Sequence, residues 1–287
     1  MMRPYIDVHA HIGMTVSRSP AVGQTVGRYM GRMVSAGVIA AVLCPTAGGP
    51  QANGVLDTRR EHEAVSAAMR AFPDRFPVGL GIAEVRHGEA GVVELERAMT
   101  AGGLSGFMCH PGLSGHSLGA ELHPFLEAAA VHSGVCLLHQ AGSTANIAAY
   151  ARRFPSITFI IGHVSLNRGA ALDAAKHCAN LPNVWYDIAQ MPLNADESWD
   201  LRRLLSDLDG GRLLFGSDTP YYDFRLTQSL VESSDISESS KDAVAFENAA
   251  ALIRRFAPGW EVPTEPVSPP QIYTDEELWA ANGARLL

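Results

Sequence analysis

The stretch Tyr5-Ile6-Asp7-Val8-His9-Ala10-His11 decides how this chain is read. Its apolar, partly β-branched start suits a buried strand. Side chains alternate across a strand, so His9 and His11 leave by the same face at its carboxyl end. Two imidazoles placed that way are half of a metal site.

Working outward, short apolar runs alternate with helix-period segments eight times before residue 222, which predicts a parallel sheet with crossover helices. Strands fall near 4–9, 38–45, 76–85, 104–110, 135–140, 157–164, 183–189 and 213–218. Helices fall near 25–36, 57–72, 89–102, 120–133, 144–154, 168–180 and 197–208, with two more at 224–234 and 238–256. Asp57 is expected to cap the second helix and Phe72-Pro73 to end it, with Gly134 as the left-handed residue after the fourth. A long loop, 12–24, follows His11. Eight such βα units close on themselves, so the predicted fold class is α/β, a (β/α)8 TIM barrel with a C-terminal Pro-rich arm. An open doubly wound sheet is the alternative, but no Gly-rich phosphate-binding run follows the first strand. The barrel is expected over residues 1–257. Residues 258–287 carry Pro258, Pro263, Pro266, Pro269 and Pro270 and read as an arm that packs on the barrel or on a partner subunit. It ends in a short helix that Thr274 and Glu277 would cap.

Composition narrows the function classes. Hydrophobic residues make up 47% and charged residues 18%, as in a globular chain. No apolar run approaches the roughly 18 residues that a membrane span needs. Acidic residues outnumber basic ones 30 to 22, and Lys176 and Lys241 are the only lysines, so no basic stripe offers itself to nucleic acid. The opening residues lack an apolar leader, which makes a cytoplasmic location the expectation. Cys44, Cys109, Cys136 and Cys178 are spaced as buried thiols rather than as a disulfide framework or a zinc finger. The expected partner is a small-molecule substrate, with a homodimer through the arm as a further expectation.

In a barrel the carboxyl ends of all strands share one rim, where the chemistry sits. The first predicted strand ends in His9 and His11, the fifth in His139, the sixth in His163 and the eighth in Asp218. Imidazole and carboxylate donors in that number suit a divalent metal, and a histidine left over is well used as a base for water. The other histidines, His62, His87, His110, His116, His123, His132 and His177, read as structural. His110 is the exception to watch, because it also ends a strand. Glu84 and Asp187, on the third and seventh strands, either reach the rim or satisfy buried backbone donors. Arg18, Arg86, Arg168 and Arg225 fall in predicted loops near the rim and are candidates to clamp a carboxylate.

The ordered set His-x-His, His, His, Asp resembles the amidohydrolase superfamily. Ile6-Asp7-Val8-His9-Ala10-His11, Gly106-Phe107-Met108-Cys109-His110-Pro111, Gly162-His163, Leu214-Phe215-Gly216-Ser217-Asp218-Thr219-Pro220 and Glu247-Asn248-Ala249-Ala250-Ala251-Leu252 resemble the branch that holds aminocarboxymuconate semialdehyde decarboxylase and related decarboxylases and lactonases. The resemblance implies one metal ion, zinc first and manganese second, held by His9, His11, His139 and Asp218, with His163 and Asp218 catalytic. His110 and Arg168 are the substrate candidates. Met108 stands where some branch members carry a bridging lysine, so a binuclear site is not expected. The Gly-rich run that follows the sixth-strand histidine in some decarboxylases is replaced by Val164-Ser165-Leu166-Asn167-Arg168. The expected activity is metal-assisted hydrolysis of a small carboxylated or cyclic substrate, with non-oxidative decarboxylation as the alternative.

Overall fold

The computed structural model describes residues 3–15, 22–46, 52–114, 116–139, 144–164, 168–190, 201–208 and 210–270. In chain order they form β1 (Tyr5–Thr15), β2 (Val22–Gln24), α1 (Val26–Ala36), β3 (Val38–Pro45), α2 (Val55–Ala71), β4 (Val78–Ile82) and α3 (Gly88–Thr100). Then come β5 (Gly106–Cys109), the single turn α4 (Pro111–Ser114), α5 (His123–Val131), β6 (Val135–His139), α6 (Thr144–Arg153), β7 (Thr158–Gly162), α7 (Arg168–Cys178) and β8 (Val184–Asp187). The last are α8 (Leu201–Asp207), β9 (Leu213–Leu214), α9 (Phe224–Ser233), α10 (Glu238–Asp242), a π turn (Ala243–Glu247) and α11 (Asn248–Ile253).

These strands form one mixed sheet in the order β2-β1-β3-β4-β5-β6-β7-β8-β9, parallel throughout except for the antiparallel β1–β2 pair. The sheet curls until its ends meet. Val8 N–H donates to Phe215 O at 3.0 Å, Asp218 N–H to His9 O at 2.8 Å and His11 N–H to Thr219 O at 2.9 Å. The arrangement is consistent with a (β/α)8 barrel.

The core explains the curl. Ile6 and Val8 of β1, Val42 of β3, Met108 of β5, Leu137 of β6, Ile160 of β7 and Leu214 of β9 share one buried cluster. Their strand neighbours Phe107, Cys136, Leu138, Phe159 and Ile161 instead pack with Phe125 and Leu126 of α5 and Ile147 of α6. Period-two alternation thus sends one set inside and the other under the helices, which is why the strands read as continuous apolar runs. All four cysteines are buried free thiols.

Helix limits follow local chemistry. Thr25 caps α1 by accepting from Arg28 N–H at 3.1 Å, and Gly37 ends it at φ 66°. The buried face of α1, Val26, Tyr29, Met30, Met33 and Ala36, has helical spacing. Four expectations need correction. The predicted loop 12–24 is partly a β1–β2 ladder, because Gly13 takes φ 113° and lets the strand run on to pair with Gln24. Helix α2 starts at Val55, so Asp57 lies in its first turn and reaches back to accept Asn53 N–H at 2.9 Å. The left-handed residue after α5 is Ser133, at φ 49°. Gly134 is needed for space, since a Cβ there would sit 3.0 Å from Ser105 O. The predicted helix 238–256 is broken by the π turn.

After α11 the chain runs back over the curled sheet and its helices. Trp260 is buried and donates its indole N–H to Asp74 O at 2.9 Å, and Arg75 donates to Glu265 O at 2.7 Å and Pro266 O at 3.1 Å. The expected capped helix with Thr274 and Glu277 lies outside the described residues, as does the start of the predicted helix 197–208. No helix among the described residues is long and apolar enough to cross a membrane.

Asp7 fastens the two ends of the sheet. One carboxylate oxygen accepts His9 N–H at 3.0 Å and Ser217 N–H at 2.9 Å; the other accepts the Ser217 hydroxyl at 2.6 Å and the Tyr29 hydroxyl at 2.9 Å. Burial still pushes its carboxyl up to about 6, against those hydrogen bonds. Asp7→Ala strands these buried donors and is expected to cost about 3 kcal/mol or more of stability, read as a lowered denaturation midpoint. A midpoint within error of the parent would refute the fastening role.

Candidate metal centre

Strand ends bring the predicted side chains to one place. His9 and His11 come from β1, whose pairing with β3 is irregular between Asp7 and Ala10; His139 ends β6, and Asp218 follows β9. His9 Nε2 lies 3.1 Å from His11 Nε2, 3.0 Å from His139 Nε2 and 3.6 Å from Asp218 Oδ1; His11 Nε2 lies 3.1 Å from Asp218 Oδ1. His163 joins them: one donor atom each from His9, His139, His163 and Asp218 lies within 4.8 Å of the others. All five side chains are buried.

The backbone is bent to achieve this. Alternation along β7 puts Phe159 and Ile161 on the helix side, so a continued strand would send His163 there too. A left-handed φ of 60° turns it inward, while Asp218 sits at φ 57° and Gln190, after β8, at φ 63°. Non-glycine residues there cost of order 1–3 kcal/mol each and cluster at functional sites. Gly216 leaves room for the site, because a Cβ would come 2.2 Å from Asp187 Oδ1 and 2.9 Å from His9 Cβ.

Partners behind the rings set their protons. His9 Nδ1 bonds Asp187 Oδ2, His11 Nδ1 bonds Pro45 O at 2.6 Å and His139 Nδ1 bonds Cys109 O at 3.2 Å. Each of those partners only accepts, so each Nδ1 carries the proton and each neutral ring presents an Nε2 lone pair to the others. Three lone pairs and a carboxylate meeting at about 3 Å repel unless a cation lies between them. That donor set fits a divalent ion such as zinc or manganese.

The electrostatics agree. Burial would raise Asp218, but the His11 hydrogen bond and the nearby His9 and His163 hold its carboxyl well below the usual range. Burial opposes charge on His11, yet Cys44 and Asp218 beside it push its basicity up. His139 is held down by burial and by the neighbouring histidines, and His163 by burial and His9.

The remaining candidates divide. His110 stacks on His139 with ring centroids 4.4 Å apart. Arg86 spends its guanidinium on buried Glu84, at 2.5 and 2.7 Å, and Arg225 forms an exposed pair with Asp223 at 3.3 Å. Arg18 and the side chain of Arg168 lie outside the described residues. Glu84 also accepts Arg86 N–H, so it serves local structure, whereas Asp187 reaches the rim behind His9 while accepting Ala189 N–H at 2.6 Å. Sequence reading missed Gln190, which donates to Asp218 Oδ2, and Tyr221, whose ring meets His11 edge-on at 5.6 Å. It also missed the acceptors Pro45 O and Cys109 O, since a backbone carbonyl leaves no residue-type signal.

Against known proteins, the amidohydrolase family model matches residues 6–255. No curated protein sequence matches the chain. Among solved structures, 5-carboxyvanillate decarboxylase from Sphingomonas paucimobilis is similar at TM-score 0.66 and 18% identity, over 88% of this chain and 99% of that one. A protein assigned as a 2-pyrone-4,6-dicarboxylic acid hydrolase from Pseudomonas putida gives 0.63 and 20%, over 89% and 99%. A dihydroxybenzoic acid decarboxylase from Polaromonas sp. JS666, with bound manganese and 2-nitroresorcinol, gives 0.63 and 16%, over 88% and 97%. At these identities the likeness is one of fold.

Two outcomes are expected. Asp187→Asn should weaken zinc affinity about 10–100-fold by loosening the proton acceptor behind His9; unchanged affinity in a competition titration would contradict that role. Each Nε2 lone pair aimed at the cluster also binds a proton when no metal is present, so metal uptake should compete with protonation of the rings. Affinity should therefore rise with pH, with proton release visible by calorimetry in buffers of different ionisation enthalpy, and a pH-independent affinity would argue against it.

Proposed function

The chain belongs to the amidohydrolase family, and we propose that it is a mononuclear metal-dependent hydrolase acting on the carbonyl of a small ester, lactone or amide. The observation that carries this is the meeting of three Nε2 lone pairs and the Asp218 carboxylate at 3.0–3.6 Å. In this reading the curled sheet is a closed (β/α)8 barrel over residues 1–257. His9, His11, His139 and Asp218 hold one ion, zinc first and manganese second, with Asp187, Pro45 O and Cys109 O fixing the three rings. When bound, the ion supplies Lewis acidity, activating water and polarising a carbonyl. His163, turned into the site by its left-handed backbone, orients the attacking water and takes a proton from it as the oxygen adds to the carbonyl carbon. The remaining hydroxyl proton of the adduct passes through Asp218 to the departing group as the C–O or C–N bond breaks. Burial that keeps bulk water out strengthens these interactions.

Decarboxylation is the second reading, favoured by the decarboxylases among the proteins of like fold. It uses the same ion to anchor a carboxylate and needs His163 to give carbon a proton rather than to take one from water. Two measurements on metal-loaded protein, offered a panel of lactones, esters, amides and aromatic carboxylic acids, separate the readings. Acid release without carbon dioxide is expected, and stoichiometric carbon dioxide would favour the second reading. His139→Ala should lose both metal and turnover; full turnover by metal-free protein would overturn both readings.

A further inference from the structure

His110 and His139 end the neighbouring strands β5 and β6, and their rings stack at 4.4 Å with planes 35° apart. The two rings carry their protons on opposite nitrogens. His139 Nδ1 faces Cys109 O, an acceptor, so its proton lies on Nδ1 and its lone pair on Nε2. His110 Nδ1 instead accepts Leu113 N–H at 3.1 Å, from the single turn α4, which favours a neutral ring with its proton on Nε2. The turn is itself fastened to the same residue, with Leu113 N–H and Ser114 N–H both directed to His110 O at 3.1 Å. Leu113 N–H is thus forked between the ring Nδ1 and His110 O, each at 3.1 Å, and the ring's share of that fork favours the tautomer with its proton on Nε2.

The consequence is an N–H donor beside the cluster. His110 is half-buried, and among the described residues its Nε2 has no hydrogen-bond partner. A half-buried donor that lacks an acceptor favours a ligand that brings one. With its lone pair already spent on Leu113 and a proton on Nε2, His110 is not a fifth metal ligand.

We infer that His110 is a substrate-positioning residue whose Nε2–H donates to an oxygen of the substrate's carboxylate or scissile carbonyl, next to the ion that His139 helps to hold. The inference rests on the metal-centre reading above and adds the second point of a two-point grip on an oxyanion. An N–H donor would then meet the substrate on this side, so compounds offering an anionic oxygen are favoured over amines or alcohols.

The test uses zinc-loaded protein with benzoate as the probe. Three measurements are made on the parent, His110→Phe and His110→Gln: zinc content, benzoate affinity by calorimetry and histidine tautomers by long-range proton–nitrogen correlation spectra. The parent should show an Nε2–H tautomer in the signals that vanish on substitution. His110→Phe keeps a ring against His139 and should retain zinc, yet bind benzoate about tenfold more weakly, as loss of one hydrogen bond to a charged group implies. His110→Gln, which restores an N–H, should recover most of that loss. An Nδ1–H tautomer, unchanged benzoate affinity in His110→Phe, or a parent that holds zinc but no benzoate would overturn the inference. Zinc loss confined to the His110 variants would make the residue part of the metal's scaffold and also overturn it. A parent that binds no zinc would instead sink the metal-centre reading, and the tautomer spectra would still decide the donor assignment.

Discussion

Three imidazoles can share one small buried space only because each has an acceptor behind it. Asp187, Pro45 O and Cys109 O take the Nδ1 protons of His9, His11 and His139, and that single constraint aims three lone pairs at one point. Without those acceptors the rings would be free to protonate or rotate, and the cluster would be an accumulation of buried polar groups with a large desolvation cost. The supporting atoms are as much a part of the centre as the rings.

Much of this was legible in the sequence. Eight alternating segments predicted the eight parallel strands, because a parallel sheet is buried on both faces and writes itself as apolar runs. The ends of those runs named His9, His11, His139, His163 and Asp218, and the rim geometry of a curled sheet brings all five together. What stayed hidden has physical reasons. The β1–β2 ladder rests on the conformational freedom of Gly13 rather than on an apolar pattern. Gly134 looked like a helix cap but is fixed by a close approach to Ser105 O, which only three-dimensional packing reveals. Arg86 looked free because a sequence does not show that Glu84, two residues earlier, turns back to take it.

The backbone carries a cost that the side chains redeem. His163, Gln190 and Asp218, at the ends of three successive strands, all sit in left-handed conformations, and Gly216 is squeezed between Asp187 and His9. Such positions persist where the surroundings over-determine them, here through the fastening at Asp7 and the backbone bonds that join β1 to the segment after β9. Stability is thus concentrated in the seam where the two ends of the curled sheet join, beneath the clustered histidines and Asp218.

That seam also has a bearing on time. Asp7 and Ser217 are 210 residues apart in sequence, and His9 shares its backbone bond with Asp218. On a ribosome making the chain from its amino end, the first two histidines wait for nearly the whole sheet to emerge before Asp218 arrives. No amino-terminal fragment short of that point contains the complete cluster. The proposed ion could be captured by all of its donors only in a finished fold, and a truncated or half-folded chain would lack a stable grip on it.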